Sequence, residues 1–187
     1  MTIEQLRLRL LQIIKDRSYE RGEVTLASGR KSDFYVDCRQ TTLHPEGAYL
    51  TGKIIYEMIK ASGLGIEAIG GLTMGGDPVV TAVSVVSHLE GHPLPAFIVR
   101  KEPKGYGLGQ WIEGKKNIPG GARVAIVEDV ITTGGSALQA VKRAEEEGFK
   151  VVAVFAIVDR CEGGRETIEK EGYQFRAIFT KGDVVEG

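Results

Sequence analysis

Eight consecutive apolar residues, Val151–Val158, constrain the fold of this 187-residue chain more than any other feature. A strand exposed on one face alternates apolar and polar residues, whereas a strand buried on both faces does not. A shorter apolar run, Val124–Val127, precedes the helical pattern of Ser136–Glu147. Apolar strands that alternate with helices predict an α/β fold, in which helices cover both faces of a mainly parallel sheet.

The other elements follow from apolar spacing and from glycine and proline positions. In chain order we expect a helix from Ile3 capped by Thr2, extended segments Val24–Ala27 and Asp33–Asp37, a helix from Pro45 to about Ala61 ended by Gly63, a strand Glu67–Gly71, a helix Pro78–Leu89, a strand Ala96–Arg100, a helix Arg165–Glu171 and a strand Phe175–Phe179. We expect Lys101–Asn117 to form a long loop rich in glycine and lysine. A loop of this length inside a compact domain is usually functional or mobile.

Composition narrows the functional class. The length fits one domain, residues 1–187. The 24 basic residues are balanced by 25 acidic ones, so no basic excess points to nucleic acid as a partner. No apolar run is long enough for a membrane span. The two cysteines, Cys38 and Cys161, have neither disulfide-scaffold nor zinc-ribbon spacing, and with an N-terminus unlike a signal peptide they favour the cytoplasm.

The segment Val124–Ser136 carries the clearest chemistry. An apolar strand is followed by two acids, Glu128 and Asp129, and then by a turn rich in threonine and glycine that opens into a helix. Free amides at a helix start and close backbone approach at glycines suit a phosphate. The acids suit the hydroxyls of an attached ribose or a bound magnesium ion. The alternative is that the acids only end the strand and the glycines form an ordinary turn.

This segment resembles the signature of the type I phosphoribosyltransferases, which use 5-phosphoribosyl 1-diphosphate. Three further segments resemble the orotate enzymes of that family: Leu26–Tyr35, Arg100–Gly107 and Asp159–Arg160. The resemblance extends from about residue 20 to residue 180. It implies the type I fold, with a small hood formed by residues 1 to about 40 and a long flexible loop. It also implies transfer of the phosphoribosyl group to orotate, giving orotidine 5-monophosphate and diphosphate in pyrimidine biosynthesis.

The resemblance also assigns residues. It implies Lys101, Glu128 and Asp129 as catalytic residues. The phosphoribosyl diphosphate would be bound by Arg100, Lys101, Lys104, Glu128, Asp129, Val130, Ile131, Thr132, Thr133, Gly134, Gly135 and Ser136, and orotate by Thr132, Arg160, Phe34 and Tyr35. Mg²⁺ would be carried by the diphosphate, with no direct protein ligand assigned. The partner would be a second copy, in a homodimer whose loop residues 100–106 act in the neighbouring subunit.

Several positions leave alternatives open. Tyr106 stands where the family commonly has histidine, and Ala27 and Gly75 stand where relatives carry lysines. The glycines of the turn Gly70–Asp77 either let the diphosphate approach the backbone or only allow the chain to turn there. Arg160 either binds the orotate carboxylate, for which a guanidinium is well shaped, or pairs with Glu162 at the surface. We assign no metal to the histidines.

Two other functions remain compatible with the sequence. One is a phosphoribosyltransferase for a different nucleobase. The other is a regulatory relative that keeps the fold and ligand without catalysis and binds RNA or DNA. The acidic pair, the cationic segment at Arg100 and the neutral charge balance disfavour the regulatory relative. Purine enzymes of the family share the phosphate turn but not the segment Ser28–Tyr35 or Arg160, which favours orotate as the base.

Overall fold

The strands of the described residues form two sheets. The computed structural model describes residues 1–25, 31–103 and 110–185. In chain order the strands are β1 (Tyr19–Thr25), β2 (Lys31–Val36), β3 (Ala68–Leu72), β4 (Ala96–Val99), β5 (Ile112–Glu113), β6 (Arg123–Ile131), β7 (Lys150–Asp159) and β8 (Gln174–Thr180). β1 and β2 pair as an antiparallel hairpin, and the other six lie in the order β5-β4-β3-β6-β7-β8.

The six-stranded sheet confirms the predicted mainly parallel arrangement. Its strands run parallel to their neighbours, except for the short edge strand β5, which is antiparallel to β4. Side chains of β6 alternate between two cores: Ala125 and Val127 lie in one, Val124 and Ile126 in the other. Burial on both faces explains why these strands lack polar alternation.

The helices begin and end where local signals require. In chain order they are α1 (Ile3–Arg17), α2 (Arg39–Thr42), α3 (Pro45–Ser62), α4 (Gly76–Leu89), α5 (Gly135–Glu146), α6 (Gly164–Lys170) and α7 (Lys181–Val185). Thr2 caps α1 in a capping box with Gln5. Gly63 ends α3 in the left-handed conformation, with φ of 66°. Among the described residues, every helix falls short of the length and apolar character needed to cross a membrane.

The helices that follow β3 and β6 lie on opposite faces of the sheet and leave a crevice between the two strand ends. α4 follows β3 and packs Val79 and Val83 into the first core, whereas α5 follows the neighbouring strand β6 and packs Ala137 and Ala140 into the second. Adjacent strands whose following helices lie on opposite faces form the switch point at which parallel sheets bind ligands. The crevice between the carboxyl ends of β3 and β6 is therefore the place to seek a site.

Short elements were missed by the sequence prediction. The four-residue α2, the five-residue α7, the two-residue β5 and a 3-10 turn at Lys115–Asn117 are too brief to generate a period. Lys101–Asn117 is therefore not wholly irregular, as the sequence had suggested. β1 begins at Tyr19, five residues before the predicted extended segment. The hairpin joins the main fold through Phe34 and Val36, which are buried in the first core.

Candidate active site

The turn after β6 combines several of the predicted ligand residues in one cavity. A cavity of about 340 Å³ is lined by Tyr35, Val36, Val130, Ile131, Thr132, Thr133, Gly134, Gly135, Ser136, Ala137 and Arg160. Gly134 has φ of 84°, a conformation that favours glycine, and α5 begins at the next residue. The free amides of the first turn of α5 thus lie beside two threonine hydroxyls, which is an arrangement suited to an anion.

The acidic pair lies inside β6 rather than beyond its end. The sequence had suggested that the strand stops at Val127, but β6 continues to Ile131 because its pairing with β7 persists to Ile131 and Asp159. Consecutive residues of a strand point to opposite faces. Glu128 and Asp129 therefore occupy different surroundings, although they are neighbours in sequence.

Glu128 is a buried carboxyl group. Its side chain is 6% exposed, and Oε1 has no hydrogen-bond partner among the residues that the structure describes. Burial, and secondarily the charge of Asp129, raise its pKa to about 8, while Lys101 opposes the shift. Lys101, which follows the end of β4, is thus close enough for its charge to act on Glu128. A buried carboxyl oxygen without a partner is available to a ligand hydroxyl or cation.

Asp129 faces the turn that follows β3. Its Oδ1 accepts a hydrogen bond from the backbone N–H of Val130 at 2.8 Å, and burial raises its pKa. The predicted glycine-rich turn lies against this carboxylate: a Cβ built on Gly75 would come within 2.6 Å of Asp129 Oδ1. Thr73, in the same turn, donates a hydrogen bond from Oγ1 to Asp77 Oδ2 at 2.7 Å. The peptide bond Thr73–Met74 is cis.

The cationic segment begins at the end of β4. Arg100 donates a backbone hydrogen bond to the Trp111 carbonyl at 2.9 Å, and its Nη1 lies 3.0 Å from Glu113 Oε1. The structure thus places Arg100 in an ion pair beside β5, with Lys101 exposed next to it. Lys104 and Tyr106, as well as Ala27, lie outside the described residues.

Arg160 lies under the hairpin at the end of β7. Its guanidinium is 4.3 Å from the centroid of the Phe34 ring, its Nε donates to Glu162 Oε1 at 2.8 Å, and its side chain is 4% exposed. The predicted alternative of an ion pair with Glu162 is present, but Arg160 is buried and Glu162 is only partly exposed, so the pair is not a surface one. Arg160 and Tyr35 line the same cavity as Thr132 of the phosphate-type turn, so three of the four proposed orotate residues reach the site, and Phe34 is the one outside its lining.

An ion pair between Asp37 and Arg39 lies near Glu128 and Asp129, and the sequence did not predict it. Asp37 accepts two hydrogen bonds from the Arg39 guanidinium, at 2.7 and 3.1 Å, just after β2. The charge of Arg39 lowers the pKa of Asp129, against the larger effect of burial, and the charge of Asp37 raises it. Within residues 1–25, 31–103 and 110–185, no group of three or more His, Cys, Asp or Glu side chains is arranged to hold a metal ion.

Comparisons with known proteins agree with this geometry. The family model for the phosphoribosyl transferase domain matches residues 40–178. The orotate phosphoribosyltransferase of Aquifex aeolicus is 49% identical over 176 residues, covering 92% of this chain and 94% of the relative. A crystal structure of the Mycobacterium tuberculosis orotate phosphoribosyltransferase is 40% identical with a TM-score of 0.83, covering 96% and 99% of the two chains. Another, in complex with 5-phospho-alpha-D-ribosyl 1-diphosphate, has 39% identity, a TM-score of 0.79 and coverage of 96% and 98%.

Proposed function

Since the chain belongs to the phosphoribosyl transferase family, and within it to the orotate phosphoribosyltransferases, we propose that it transfers the phosphoribosyl group to orotate. The donor is 5-phosphoribosyl 1-diphosphate, and the products are orotidine 5-monophosphate and diphosphate. The reaction supplies a pyrimidine nucleotide from a free base. The observation that carries this proposal is the single cavity shared by the turn Thr132–Gly134, the start of α5 and Arg160.

The residues in and around the cavity favour one orientation of the substrates. The 5-phosphate lies at the turn Thr132–Gly134, where amides at the start of α5 and threonine hydroxyls donate hydrogen bonds to it. The ribose hydroxyls then point toward Glu128 and Asp129, which precede the turn in β6 and lie just outside the lining of this cavity. Orotate lies under the hairpin, with its carboxylate against Arg160 and its ring near Phe34 and Tyr35. Thr132 borders both substrates.

The chemistry requires charge to be stabilised at two places. The bond from ribose C1 to the diphosphate oxygen breaks, a bond from C1 to the orotate ring nitrogen forms, and the nitrogen loses its proton. Positive charge that develops on the ribose is stabilised by Glu128 and Asp129. Negative charge on the departing diphosphate is stabilised by Arg100, Lys101 and Lys104.

Magnesium fits the residues present. The buried Oε1 of Glu128 has no hydrogen-bond partner among the described residues, and Asp129 lies next to it. Carboxylate oxygens together with substrate phosphates are ligands that Mg²⁺ prefers. We propose that Glu128 and Asp129 orient the ribose hydroxyls and would, with the diphosphate oxygens, hold Mg²⁺. When bound, the ion would neutralise charge on the diphosphate.

We propose that the chain acts as a homodimer joined through α2, α3 and α4. Four large apolar side chains line one groove of about 620 Å³ and are 52–76% exposed: Leu43, Tyr49, Val85 and Leu89. Exposed apolar surface of this kind marks a protein interface. Asp77, at the start of α4, also lines the groove, so a second copy seated there lies beside the turn Thr73–Gly75. Residues 100–106 of that copy then complete the site.

The cysteines support a cytoplasmic location for the enzyme. Both are free thiols, with Cys38 buried and Cys161 exposed. A reducing compartment maintains thiols in this form.

A panel of bases tests the choice of substrate. Diphosphate release is measured with 5-phosphoribosyl 1-diphosphate, Mg²⁺ and one base at a time: orotate, uracil, adenine or hypoxanthine. Uracil is the sharpest comparison, because it lacks only the carboxylate that Arg160 is proposed to bind. We expect release with orotate and little with uracil. Equal release with uracil would remove Arg160 from base selection, and release with a purine alone would assign the enzyme to another base.

A further inference from the structure

We propose that Arg143 is a positioning residue, which fixes the diphosphate-binding Arg100 by clamping Trp111. The guanidinium of Arg143 lies 3.6 Å from the centroid of the Trp111 ring, the shortest distance between a cation and an aromatic ring among the described residues. This proposal rests on the proposed function, because it takes Arg100 to bind the diphosphate.

The short strand β5, which follows Trp111, is weakly held by its own backbone pairing. β5 has two residues and makes two pairs with β4, Ile98 with Glu113 and Val99 with Ile112. So short a ladder at a sheet edge fixes its neighbours poorly. Trp111 lies just before β5, and its carbonyl accepts the backbone N–H of Arg100 at 2.9 Å. Whatever holds Trp111 therefore also holds the backbone of Arg100.

Arg143 supplies the missing restraint. An arginine over a tryptophan face is attracted by the ring quadrupole, and its planar group stacks with good contact. Arg143 is itself oriented by an ion pair with Glu146, in which its Nη1 lies 2.7 Å from Oε2. Trp111 is also packed against the second core, so both sides of the contact are anchored.

The helix that carries Arg143 explains why this restraint matters. α5 begins at Gly135, directly after the turn Thr132–Gly134 proposed for the 5-phosphate. Arg143 is eight residues further on, about 12 Å along the axis. One rigid helix thus sets the positions of the phosphate turn and of Trp111, and through Trp111 that of Arg100. In the proposed dimer Arg100 completes the site of the other copy, so α5 of one chain fixes the phosphate turn of its own site and the diphosphate-binding Arg100 of the second site.

Arg143→Gln tests this role against the matched change Lys142→Gln. Both remove one positive charge from α5, and Gln has a helix propensity close to theirs. Lys142 is highly exposed and pairs only loosely with Glu146, at 4.0 Å. We expect Arg143→Gln to raise the KM for phosphoribosyl diphosphate about three- to tenfold, with kcat and the KM for orotate within about twofold of wild type. Lys142→Gln should behave as wild type, and Arg143→Lys should lie between the two.

Fluorescence quenching gives a readout that is independent of activity. Trp111 is the one tryptophan of the chain, so tryptophan emission reports the surroundings of this ring alone. Acrylamide should quench it more strongly in Arg143→Gln than in Lys142→Gln, without any substrate. Equal quenching in both would show that the contact does not protect the ring. Greater quenching with an unchanged KM for phosphoribosyl diphosphate would overturn the positioning role, and a parallel rise in both KM values would replace it with general destabilisation. Absence of transferase activity in wild type would instead refute the proposed function.

Discussion

A Cβ on Gly75 would collide with the carboxylate of Asp129 in its present position. An ideal Cβ on Gly75 would lie 2.6 Å from Oδ1 of Asp129 and 2.8 Å from its Cγ. Gly75 has φ of −62°, so its backbone conformation is open to any residue. A side chain at position 75 would therefore have to displace the carboxylate of Asp129, although the turn itself would accept one. This contact joins the connection after β3 to the acidic pair of β6.

Gly75→Ala is expected to lower kcat/KM for phosphoribosyl diphosphate by about tenfold or more, because the methyl group must displace Asp129 by several tenths of an ångström. Gly120→Ala is the matched control, since a Cβ there meets no atom within 4 Å. Steady-state kinetics of the two variants check the prediction. Equal activity in both would mean that the position of Asp129 is not critical.

The raised pKa of Glu128 predicts how stability depends on pH. This pKa is about 8 in the folded chain, against 4.5 ordinarily, so between these values the folded state holds a proton that the unfolded state has released. The contribution of this group to the free energy of unfolding therefore falls as pH rises from about 4.5 to 8. Glu128→Gln resembles the protonated acid and lacks this loss. Calorimetry of the substrate-free protein at pH 6 to 9 should show the variant gaining in Tm over wild type as pH rises; parallel curves would contradict the assignment.

Arg160→Lys is expected to raise the KM for orotate about tenfold or more, because an ammonium cannot make the two-point contact of a guanidinium with a carboxylate. The KM for phosphoribosyl diphosphate should change little. Arg165→Lys is the control, since Arg165 also lies near the end of β7, where its Nε is 3.5 Å from Asp159 Oδ2. An unchanged KM for orotate in Arg160→Lys would leave Arg160 only its structural contacts with Glu162 and Phe34.

Leu89→Glu is expected to convert the proposed dimer to monomer, because it places a charge in the apolar groove formed by α2, α3 and α4. Leu8→Glu is the control: Leu8 is 60% exposed on α1 and does not line the groove. Sedimentation equilibrium should give the mass of two chains for wild type and for Leu8→Glu, and of one chain for Leu89→Glu. A dimeric Leu89→Glu variant would place the interface elsewhere, and a monomeric wild type would exclude the dimer.

The features that could be predicted from the sequence are those set by residues close together in the chain. The turn Thr132–Gly134 and the start of α5 are contiguous, so their phosphate-type geometry could be anticipated from thirteen residues. The caps at Thr2 and Gly63 are equally local, and both were confirmed. The paired apolar strands indicated burial on both faces, and from that the parallel sheet.

Features that depend on distant parts of the chain could not be predicted. The extension of β6 through Glu128 and Asp129 depends on pairing with β7, which no pattern within β6 reveals. The contact between Gly75 and Asp129 joins residues 54 positions apart, and the charge of Arg39 near Asp129 comes from beyond the hairpin. The contact between Trp111 and Arg143 depends on how α5 packs against the sheet edge, which no local pattern reveals.

Loss of orotate, followed by its ultraviolet absorbance, tests the central claim most directly. The protein is given orotate with phosphoribosyl diphosphate and Mg²⁺, and each of the two is then withheld in turn. We predict loss of orotate only when both are present, and a rate at least about a hundredfold lower in a folded Asp129→Asn variant. No loss of orotate from folded wild-type protein with both present, or a near-normal rate in Asp129→Asn, would contradict the account.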